Sequence, residues 1–290
     1  MILFADSGST KCDWVLVKND GELVHKTKTD GINPLLLSDD TIINIVQKAD
    51  TILQKRDLIH KIYFYGAGCG EADAKKKIAL VLQSIFKNVT SIVIEEDIIG
   101  AVKATTEKPS VVCILGTGAN CCYFDGVNVI QKSPALGYLL ADEGSGNYLG
   151  KKLIKDYFLG KMPADTASLF KNDYTTELNQ ILDELYCADH PNKYLASYAK
   201  FIFRNRGNAY LEEILHHGVS KFISTYLFQY KEELSKYPIH FVGSVAYYSQ
   251  DIIKKLLDDR GYRVKGFVKK PIDHLVNRLI TQRISQKTSQ

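Results

Sequence analysis

The sequence predicts an α/β protein of two related domains, and three observations lead to this prediction. Its 290 residues correspond to about two domains, since domains of this class average roughly 150 residues. Hydrophobic residues make up 45% of the chain and charged residues 24%, with 7 prolines, which is typical of a folded chain and excludes disorder as its main state. A strand-turn-strand-turn-strand unit at the start of the chain also recurs, weakly, in its second half.

The first half opens with three short strands and then alternates strands with helices. The turn signals Ser7-Gly8-Ser9 and Asn19-Asp20-Gly21 join the first strands so closely that they predict an antiparallel meander. Ser38-Asp39-Asp40 offers a helix N-cap before apolar residues at helical spacing. The predicted strands are 2–5, 13–17, 22–26, 61–65 and 91–94, and the predicted helices are 42–53, 72–86 and 98–105. The order is therefore β-β-β-α-β-α-β-α.

The second half begins with the same pattern. Asp6-Ser7-Gly8-Ser9-Thr10 aligns with Gly116-Thr117-Gly118-Ala119-Asn120, and Asn19-Asp20-Gly21 aligns with Asp125-Gly126. The predicted strands are 111–115, 121–124, 128–132, 239–242 and 263–267, with mostly helical structure over 148–234, a helix through 257 and a last helix from Pro271 to Ile280. We expect an N-terminal domain at 1–108 and a C-terminal domain at 109–290 with a helical insertion, the last helix being a candidate to pack back on the N-terminal domain.

Charge and composition exclude several classes of function. Lys and Arg number 37 against 33 Asp and Glu, a formal net charge of +4, which is too small for a field that would hold nucleic acid. The start of the chain has no signal-peptide pattern, and no apolar run approaches the roughly 20 residues of a membrane helix. The six cysteines show no metal-ligand spacing, so reduced thiols are expected. These features favour a cytoplasmic protein with no membrane or nucleic-acid partner.

Two glycine-rich turns indicate phosphate-binding chemistry. In Asp6-x-Gly8-x-Thr10-x-x-Asp13, a tight turn exposes backbone N–H groups, glycine allows close approach of a phosphate, and a carboxylate can hold Mg²⁺. Taken alone, this turn could equally be an ordinary Ser/Gly hairpin. A second turn of this kind lies at the matching position 116–120. Two matched turns favour a pair of loops that hold a triphosphate from two sides over a coincidence of ordinary turns.

Two acidic motifs follow. In Glu95-Glu96-Asp97-Ile98-Ile99-Gly100-Ala101, Asp97 ends an apolar strand where a helix starts, a position suited to a general base or, alternatively, to a helix N-cap. In the segment 137–146, glycines flank the pair Asp142-Glu143, which indicates a polar loop beside a ligand; an N-cap explains the acids but not all the glycines.

Two other glycine-rich segments fail as nucleotide motifs. Gly66-Ala67-Gly68-Cys69-Gly70-Glu71 has Glu where a dinucleotide-binding fingerprint needs its third glycine. The segment 144–152 lacks P-loop spacing and has Lys152 where that motif needs Ser or Thr. Neither a Rossmann fold nor a P-loop is expected.

Taken together, these segments resemble the N-acetylglucosamine kinases of the BadF/BadG/BcrA/BcrD ATPase family. The resemblance spans nearly the whole chain and includes, in order, the segments 6–13, 29–34 (Thr-Asp-Gly-Ile-Asn-Pro), 97–101, 116–120, 137–145 and 243–246 (Gly-Ser-Val-Ala). It implies two RNase H-like domains of the actin-like ATPase fold, with mixed sheets and a ligand cleft between them. It also implies transfer of the γ-phosphoryl group of ATP to the 6-hydroxyl of an amino sugar, with N-acetylglucosamine as the expected acceptor and Mg²⁺ as cofactor.

The resemblance also implies roles for individual residues. Asp97 would be the general base and contact the sugar, and Asp6 would hold Mg²⁺ directly or through water. The residues expected at ATP and its phosphates are Gly8, Ser9, Thr10, Lys11, Thr117, Gly118, Gly207, Gly243 and Ser244. Those expected at the sugar are Asn33, Asn120 and Asp142, with Ala135, Leu136 and Gly137 near the acetamido group. Similar sugar kinases are often homodimers.

Departures from the family pattern leave alternatives for the acceptor. Ala141 replaces a common glycine, Leu136 stands where relatives often have tryptophan, and His274 occupies the glycine of Pro-x-x-Gly-Leu. A kinase for glucosamine or another hexose, and a sugar-sensing ATP-binding protein without catalysis, remain as alternatives. The iron–sulfur activators in the same family require cluster-binding cysteines at comparable motifs, which this sequence lacks.

Overall fold

Two five-stranded mixed sheets with the same strand order form the framework. The computed structural model describes residues 1–188 and 190–288. By its contacts the chain divides into unit 1, made of Met1–Glu107 with the C-terminal segment from Lys270, and unit 2, Lys108–Lys269. The C-terminal helix, α14 (Pro271–Thr288), is therefore part of unit 1.

Unit 1 has the sheet order β3-β2-β1-β4-β5. The first three strands pair antiparallel, whereas β1, β4 and β5 are parallel to one another. The strands are β1 (Ile2–Ser7), β2 (Lys11–Val17), β3 (Leu23–Asp30), β4 (Lys61–Gly66) and β5 (Ser91–Glu96), and the helices are α1 (Asp39–Gln47), α2 (Asp50–Leu53), α3 (Ala72–Ile85) and α4 (Asp97–Thr105). Ser38 caps α1 by accepting from the Thr41 N–H at 3.2 Å, as the sequence predicts.

Unit 2 repeats this topology with the order β8-β7-β6-β9-β10. Its strands are β6 (Ser110–Leu115), β7 (Ala119–Phe124), β8 (Val129–Ile130), β9 (Ile239–Val242) and β10 (Val264–Val268). Its helices are α5 (Gly137–Leu140), α6 (Gly146–Phe158), α7 (Ala164–Asp173), α8 (Leu178–Tyr186), α9 (Pro191–Arg204), α10 (Ala209–Thr225), α11 (Lys231–Leu234), α12 (Ser244–Tyr248) and α13 (Gln250–Asp258). The matching orders confirm the predicted α/β class with two related mixed sheets.

Several element boundaries differ from the sequence prediction. The predicted helix over 42–53 is two helices, because the backbone at Ala49 leaves the helical region with φ −88° and ψ 59°. The predicted helix through 257 is likewise broken at Ser249, with φ −111° and ψ 19°. Strand β3 extends to Asp30 because it pairs with β2 along that strand's whole length, and the short helix α5 was not predicted. Apolar periodicity continues across both breaks, so it did not reveal them.

Both faces of the unit 1 sheet are covered by apolar contacts. One face packs against α1 and α3. The other carries Ile2, Phe4, Val15 and Val17, and packs against buried residues of α14 and α4. His274 lies on the exposed side of α14, so its departure from the family pattern leaves this core unchanged. Among the described residues, no helix has both the length and the apolar character needed to cross a membrane.

Candidate functional site

The carboxyl ends of three parallel strands meet at one edge of the unit 1 sheet. In the register of β1, β4 and β5, Ser7 lies beside Gly66, and Gly66 lies beside Glu96. Asp6 is thus one residue from the end of β1, and Asp97 directly follows β5. Ligands of open α/β sheets bind at such an edge. The fold therefore brings two of the predicted site residues, Asp6 and Asp97, to the same edge of one sheet.

The charge environment of Asp6 is unusual. Asp6 faces Asp13 directly across the antiparallel β1–β2 pair, and the Asp13 side chain is only 8% exposed. Burial and then the negative charge of Asp13 raise the pKa of Asp6 from 3.8 to about 7, whereas the positive charge of Lys11 lowers it. The charge of the Asp6 carboxylate is therefore only partly compensated, which favours binding of a cation.

The turn between β1 and β2 contains the predicted phosphate-binding residues. The Gly8 N–H donates to the Lys11 carbonyl oxygen at 3.0 Å, which closes a tight hairpin. Gly8, Ser9 and Thr10 are partly exposed, and Lys11 is exposed. Lys11 forms an ion pair with the buried carboxylate of Asp13. The turn thus presents backbone and side-chain donors beside a paired acidic group.

Ser7 connects the loop that carries Asn33 to this turn. Its hydroxyl accepts from the Ile32 N–H at 2.8 Å and donates to the Ile32 carbonyl oxygen at 3.1 Å. Gly31 lies so close to the turn that a Cβ there would be 2.2 Å from the Gly8 carbonyl oxygen, so that glycine alone fits without a shift. These contacts fix Asn33 relative to the turn.

Asp97 is the first residue of α4, with Glu96 in the N-cap position. The alternative that Asp97 is the N-cap is therefore wrong by one residue, and the carboxylate lies in the first turn, where the helix dipole favours a negative charge. A Cβ at Gly100 would be 2.9 Å from the Cβ of Tyr65, so glycine allows α4 to pack closely on β4. Burial raises the pKa of the Cys69 thiol to about 12, and the negative charge of Asp97 makes the second-largest contribution.

In unit 2, the turn at 116–120 is bound to the start of α6. The Gly146 N–H donates to the Gly116 carbonyl oxygen at 2.7 Å, and the Asn147 N–H donates to the Thr117 carbonyl oxygen at 3.1 Å. Within the turn, the Gly116 N–H donates to the Gly118 carbonyl oxygen at 2.9 Å. These hydrogen bonds join the two glycine-rich segments of unit 2 into one assembly.

Asp142 is buried and has a positive φ of 69°. Such a backbone conformation is uncommon for a residue other than glycine and costs about 1–3 kcal/mol. Its Oδ1 accepts from the Ala119 N–H at 2.8 Å, and its Oδ2 accepts from Asn147 Nδ2 at 2.9 Å. Burial raises the pKa of the Asp142 carboxyl even though both hydrogen bonds act in the opposite direction. Strain of this kind, held by surrounding contacts, is typical of a functional position.

Tyr226 and Asn147 hold this aspartate in place. The Tyr226 hydroxyl accepts from the Asp142 N–H at 2.7 Å and donates to Glu143 Oε2 at 2.9 Å. Within the described part of the chain, the buried Asn147 Oδ1 has no hydrogen-bond partner. An unsatisfied buried acceptor destabilises a protein by about 1–3 kcal/mol. Here that acceptor belongs to the Asn147 amide, which orients Asp142.

The other predicted sugar residues of unit 2 differ in burial. Asn120 is buried, and its Oδ1 accepts from the Cys121 N–H at 2.8 Å and from Gln131 Nε2 at 3.3 Å. By contrast, Ala135, Leu136 and Gly137 are exposed, so unit 2 does not enclose them around Asp142. Ala141 has a negative φ of −148°. This backbone conformation is accessible to alanine, so the position does not require the glycine that is common in relatives.

Gly243 lies beside the 116–120 turn. Its N–H donates to the Val268 carbonyl oxygen at 2.9 Å, and a Cβ on it would be 2.5 Å from the Leu115 carbonyl oxygen. The following Ser244 is exposed and begins α12. Because β6, β9 and β10 are parallel, Gly116 and Gly243 follow strand ends at one edge of the unit 2 sheet.

The Gly207 turn is held against the end of α12. The Gly207 N–H donates to Glu212 Oε1 at 2.8 Å. The neighbouring Arg206 donates to the Tyr248 carbonyl oxygen at 3.0 Å and to Asp251 Oδ2 at 2.5 Å. The structure therefore brings Gly207 near the segment that begins with Gly243 and Ser244, although the Gly207 N–H is already used within the turn.

Sequence reasoning missed Ser7, Gly31, Asn147 and Tyr226 as members of these sites. Gly31 lies in the motif 29–34. A glycine within a motif often marks a close approach of two backbone segments, and this could have identified it. Tyr226 carries no local signal, because its partners are 83 and 84 residues away in sequence.

Comparison with known proteins relates this chain to solved structures of sugar kinases. No protein-family model matches the chain. The structure is similar to that of a proposed N-acetylglucosamine kinase from Porphyromonas gingivalis, with 30% identity, a TM-score of 0.88, and coverage of 98% of this chain and 100% of that chain.

Two more distant structures share the fold. A proposed N-acetylglucosamine kinase from Chromobacterium violaceum has 12% identity and a TM-score of 0.72, and the match covers 96% of this chain and 98% of that chain. A ROK-family glucokinase from Streptomyces griseus, solved with glucose and AMPPNP, has 12% identity and a TM-score of 0.59, with coverage of 95% and 97%. These similarities confirm the predicted two-domain, actin-like ATPase fold class.

Proposed function

The chain belongs to the N-acetylglucosamine kinase family of actin-like ATPases, and from this we propose that it transfers the γ-phosphoryl group of ATP to the 6-hydroxyl of N-acetylglucosamine. The observation that carries the proposal is the grouping of Asp6, the 8–11 turn, Asn33 and Asp97 at the carboxyl edge of the unit 1 sheet. Phosphoryl transfer requires a base, phosphate donors and compensation of charge, and this edge carries residues suited to each.

The two glycine-rich turns would hold the phosphates. In unit 1 the donors are the backbone of Gly8 to Thr10 with the ammonium group of Lys11. In unit 2 they are Thr117 and Gly118, whose turn is stiffened by its hydrogen bonds to the start of α6. Gly243 and Ser244, with Gly207 nearby, would contact the adenosine. Fixed donors of this type stabilise developing charge without reorganising during the reaction.

The residues of unit 1 fit a magnesium ion. Mg²⁺ prefers oxygen ligands and is usually held by one or two carboxylates together with substrate phosphates. Asp6 and Asp13 offer neighbouring carboxylates on one face of the sheet. Among the described residues, no group of three or more His, Cys, Asp or Glu side chains could hold a metal, so a site shared with the nucleotide fits better than a cage made by protein alone. When bound, Mg²⁺ would neutralise phosphate charge, and Asp6 would hold it directly or through water.

Asp97 would act as the general base. It would accept the proton of the sugar 6-hydroxyl as that oxygen attacks the γ-phosphorus, while the bond from the γ-phosphorus to the β,γ-bridging oxygen breaks and ADP leaves with its electron pair. The N-terminal turn of α4 and the close packing at Gly100 fix the position of this carboxylate.

Three residues are proposed to bind the sugar hydroxyls. Asn33 of unit 1 is fixed through Ser7 and Gly31, and Asn120 and Asp142 of unit 2 are buried. Each Asp142 oxygen already accepts one hydrogen bond and retains capacity for a sugar hydroxyl. Leu136 and Gly137 would lie near the acetamido group.

Replacing Tyr226 with Phe should weaken sugar binding more than nucleotide binding. The change removes the acceptor for the buried Asp142 N–H and the donor to Glu143, a loss of about 1–3 kcal/mol. We expect the KM for the sugar to rise about tenfold, with a KM for ATP within twofold of the wild-type value. Steady-state kinetics with each substrate varied in turn measure both values.

A matched control is Tyr198→Phe, which removes another buried hydroxyl of unit 2, one that bonds to Tyr194. It should leave both KM values unchanged. Equal effects of Tyr226→Phe and Tyr198→Phe on the sugar KM would show that Tyr226 has only a structural role.

The proposed function is tested by measuring ADP release from MgATP with a panel of hexoses and amino sugars. We expect release to depend on sugar and to be fastest with N-acetylglucosamine. A stronger response to glucosamine or glucose would assign a different acceptor. ATP binding without ADP release in the presence of any sugar would favour a sugar sensor over a kinase.

A further inference from the structure

A glycine-rich segment that fails as a nucleotide motif lies against the turn that carries Asn33. The segment 66–71 begins at the end of β4, beside Ser7 in the β1–β4 register, and the Ala67 N–H donates to the Ser7 carbonyl oxygen at 2.9 Å. Gly68 has a positive φ of 78°. A Cβ on Gly68 would overlap Asn33 Oδ1 and lie 2.9 Å from Asn33 Cγ. Glycine therefore allows the backbone to pack directly on the Asn33 side chain.

Lys77, on α3, holds the turn 33–37 from another side. Its Nζ donates to the Pro34 carbonyl oxygen at 3.1 Å and to the Leu37 carbonyl oxygen at 2.5 Å. The Lys77 side chain is 28% exposed, and its Nζ also lies 3.6 Å from Asp39 Oδ1. Hydrogen bonds from an ammonium group are about twice as strong as those between neutral groups. The part of the chain that follows β4 thus contacts this turn at two separate points.

The hydrogen bonds of the turn leave one group of Asn33 for a ligand. Asn33 Oδ1 accepts from the Leu35 N–H at 3.0 Å, and the Asn33 carbonyl oxygen accepts from the N–H groups of Leu36 and Leu37, each at 3.1 Å. Because the Leu35 N–H requires an oxygen acceptor, the orientation of the amide is fixed. Within the part of the chain that the structure describes, Asn33 Nδ2 has no acceptor, and the side chain is partly exposed. Its N–H groups are therefore available to a ligand oxygen.

We propose that Gly68 and Lys77 are positioning residues, which hold Asn33 so that its Nδ2 donates to an oxygen of the ligand at the carboxyl edge of the unit 1 sheet. The identification of this ligand as the sugar rests on the proposed function. A donor that is held in place before binding does not have to be ordered when the ligand arrives, so its hydrogen bond contributes more to affinity. Both residues act on sugar affinity through Asn33.

Gly68→Ala tests the first contact. The added Cβ should displace the Asn33 amide, which lies at the end of a side chain that can rotate, and leave the rest of the fold in place. We expect the dissociation constant for N-acetylglucosamine, measured by titration calorimetry, to rise about tenfold through loss of one hydrogen bond. Binding of a non-hydrolysable ATP analogue should stay within about twofold of wild type.

Gly160→Ala is the matched control for this variant. Gly160 has a φ of 63°, and no atom of the described residues lies within 4 Å of a Cβ placed there. The control therefore introduces similar backbone strain without displacing a neighbour. Its affinity for N-acetylglucosamine should equal that of the wild-type protein.

Lys77→Met tests the second contact. Methionine retains most of the apolar stem but removes the ammonium group from the carbonyl oxygens of Pro34 and Leu37. We expect the same dissociation constant to rise about fivefold, whereas Lys77→Arg keeps charged donors and should stay within about twofold of wild type. Lys76→Met is the control, because Lys76 is the exposed neighbour on α3, and it should bind the sugar like wild type.

Combination with Asn33→Ala separates positioning of Asn33 from a general structural effect. If Gly68 and Lys77 act through Asn33, Gly68→Ala and Lys77→Met should each add less than about twofold to the loss of sugar affinity caused by Asn33→Ala alone. Losses that multiply in full would overturn the inference, as would wild-type sugar affinity in both single variants.

NMR of the ligand-free protein tests the positioning of Asn33 independently of sugar binding. In nitrogen-15-labelled protein, the resonances of the Asn33 side-chain amide and of the Leu35 N–H should shift in Gly68→Ala and Lys77→Met but not in the two control variants. Unshifted resonances would overturn the inference. Shifted resonances in a protein that binds no sugar would reject the proposed function while supporting the role of Gly68 and Lys77 in positioning Asn33.

Discussion

Replacing Asp97 with Asn should lower kcat for sugar phosphorylation by about 10²- to 10⁴-fold, the usual contribution of a general base. The asparagine side chain has the same shape but cannot accept the proton of the 6-hydroxyl. Asp97 is in the first turn of α4, and glycine packing at position 100 keeps that helix on the sheet, so the fold should be preserved. The KM for ATP should change by less than about threefold, because the base acts on the sugar hydroxyl in the transition state and does not contribute to nucleotide binding in the ground state.

Asp73→Asn is the control for the Asp97 experiment. Asp73 also lies in the first turn of a unit 1 helix, α3, and is exposed. It tests whether loss of an acidic group beside a helix N-terminus, worth about 0.3–1 kcal/mol in stability, explains the effect. We expect normal turnover for this variant. If Asp97→Asn has the same kcat as the wild-type protein, Asp97 is not the general base.

Replacing Asp6 with Asn should have opposite effects on activity and stability. Loss of the carboxylate that holds Mg²⁺ should lower kcat/KM for MgATP by about 10²-fold or more, since a metal supplies several kcal/mol of charge stabilisation. Without metal or nucleotide, however, the wild-type protein must keep an ionised Asp6 at a position that raises its pKa to about 7. The variant avoids that cost.

The sign of the pH dependence follows from proton binding. Between pH 3.8 and about 7, the folded protein retains a proton on Asp6 that the unfolded chain has released. Stability of the wild-type protein therefore falls as pH rises through this window. In buffer with a chelator, Asp6→Asn should raise Tm at pH 8 by several °C, because the variant carries no charge at this position, and the difference should vanish near pH 4.

Thermal melts of wild type and Asp6→Asn across this pH range measure the effect. Asp57→Asn provides the control, because Asp57 is in unit 1 and its side chain is 76% exposed; its Tm should follow that of the wild-type protein. If Asp6→Asn is less stable than the wild-type protein at pH 8, the assignment of an incompletely compensated negative charge to Asp6 is wrong.

The sequence predicted those parts of the fold that depend on local patterns. Apolar alternation and turn residues located the strands of the described residues to within a few residues, and the repeat of glycine-rich turns predicted two sheets with related topology. The strand β8 is shorter than expected, with only two residues paired to β7. The breaks at Ala49 and Ser249 were missed because apolar spacing is continuous across them, whereas backbone geometry decides where a helix ends.

Candidate site residues were predicted where a motif carries the chemistry, as at Asp6, Asp97 and Asp142, and their roles stay predictions. Residues that act by supporting others could not be predicted in this way. Ser7 and Tyr226 contribute through hydrogen bonds to segments distant in sequence, and such pairings depend on tertiary packing.

The most direct test of the proposed function is the identity of the product formed from MgATP and N-acetylglucosamine. Phosphorus NMR of the reaction mixture should show a phosphomonoester coupled to the two protons on C6 of the sugar, formed in equal amount to ADP. Inorganic phosphate in place of a sugar phosphate, or a phosphate ester at another position of the sugar, would contradict transfer to the 6-hydroxyl.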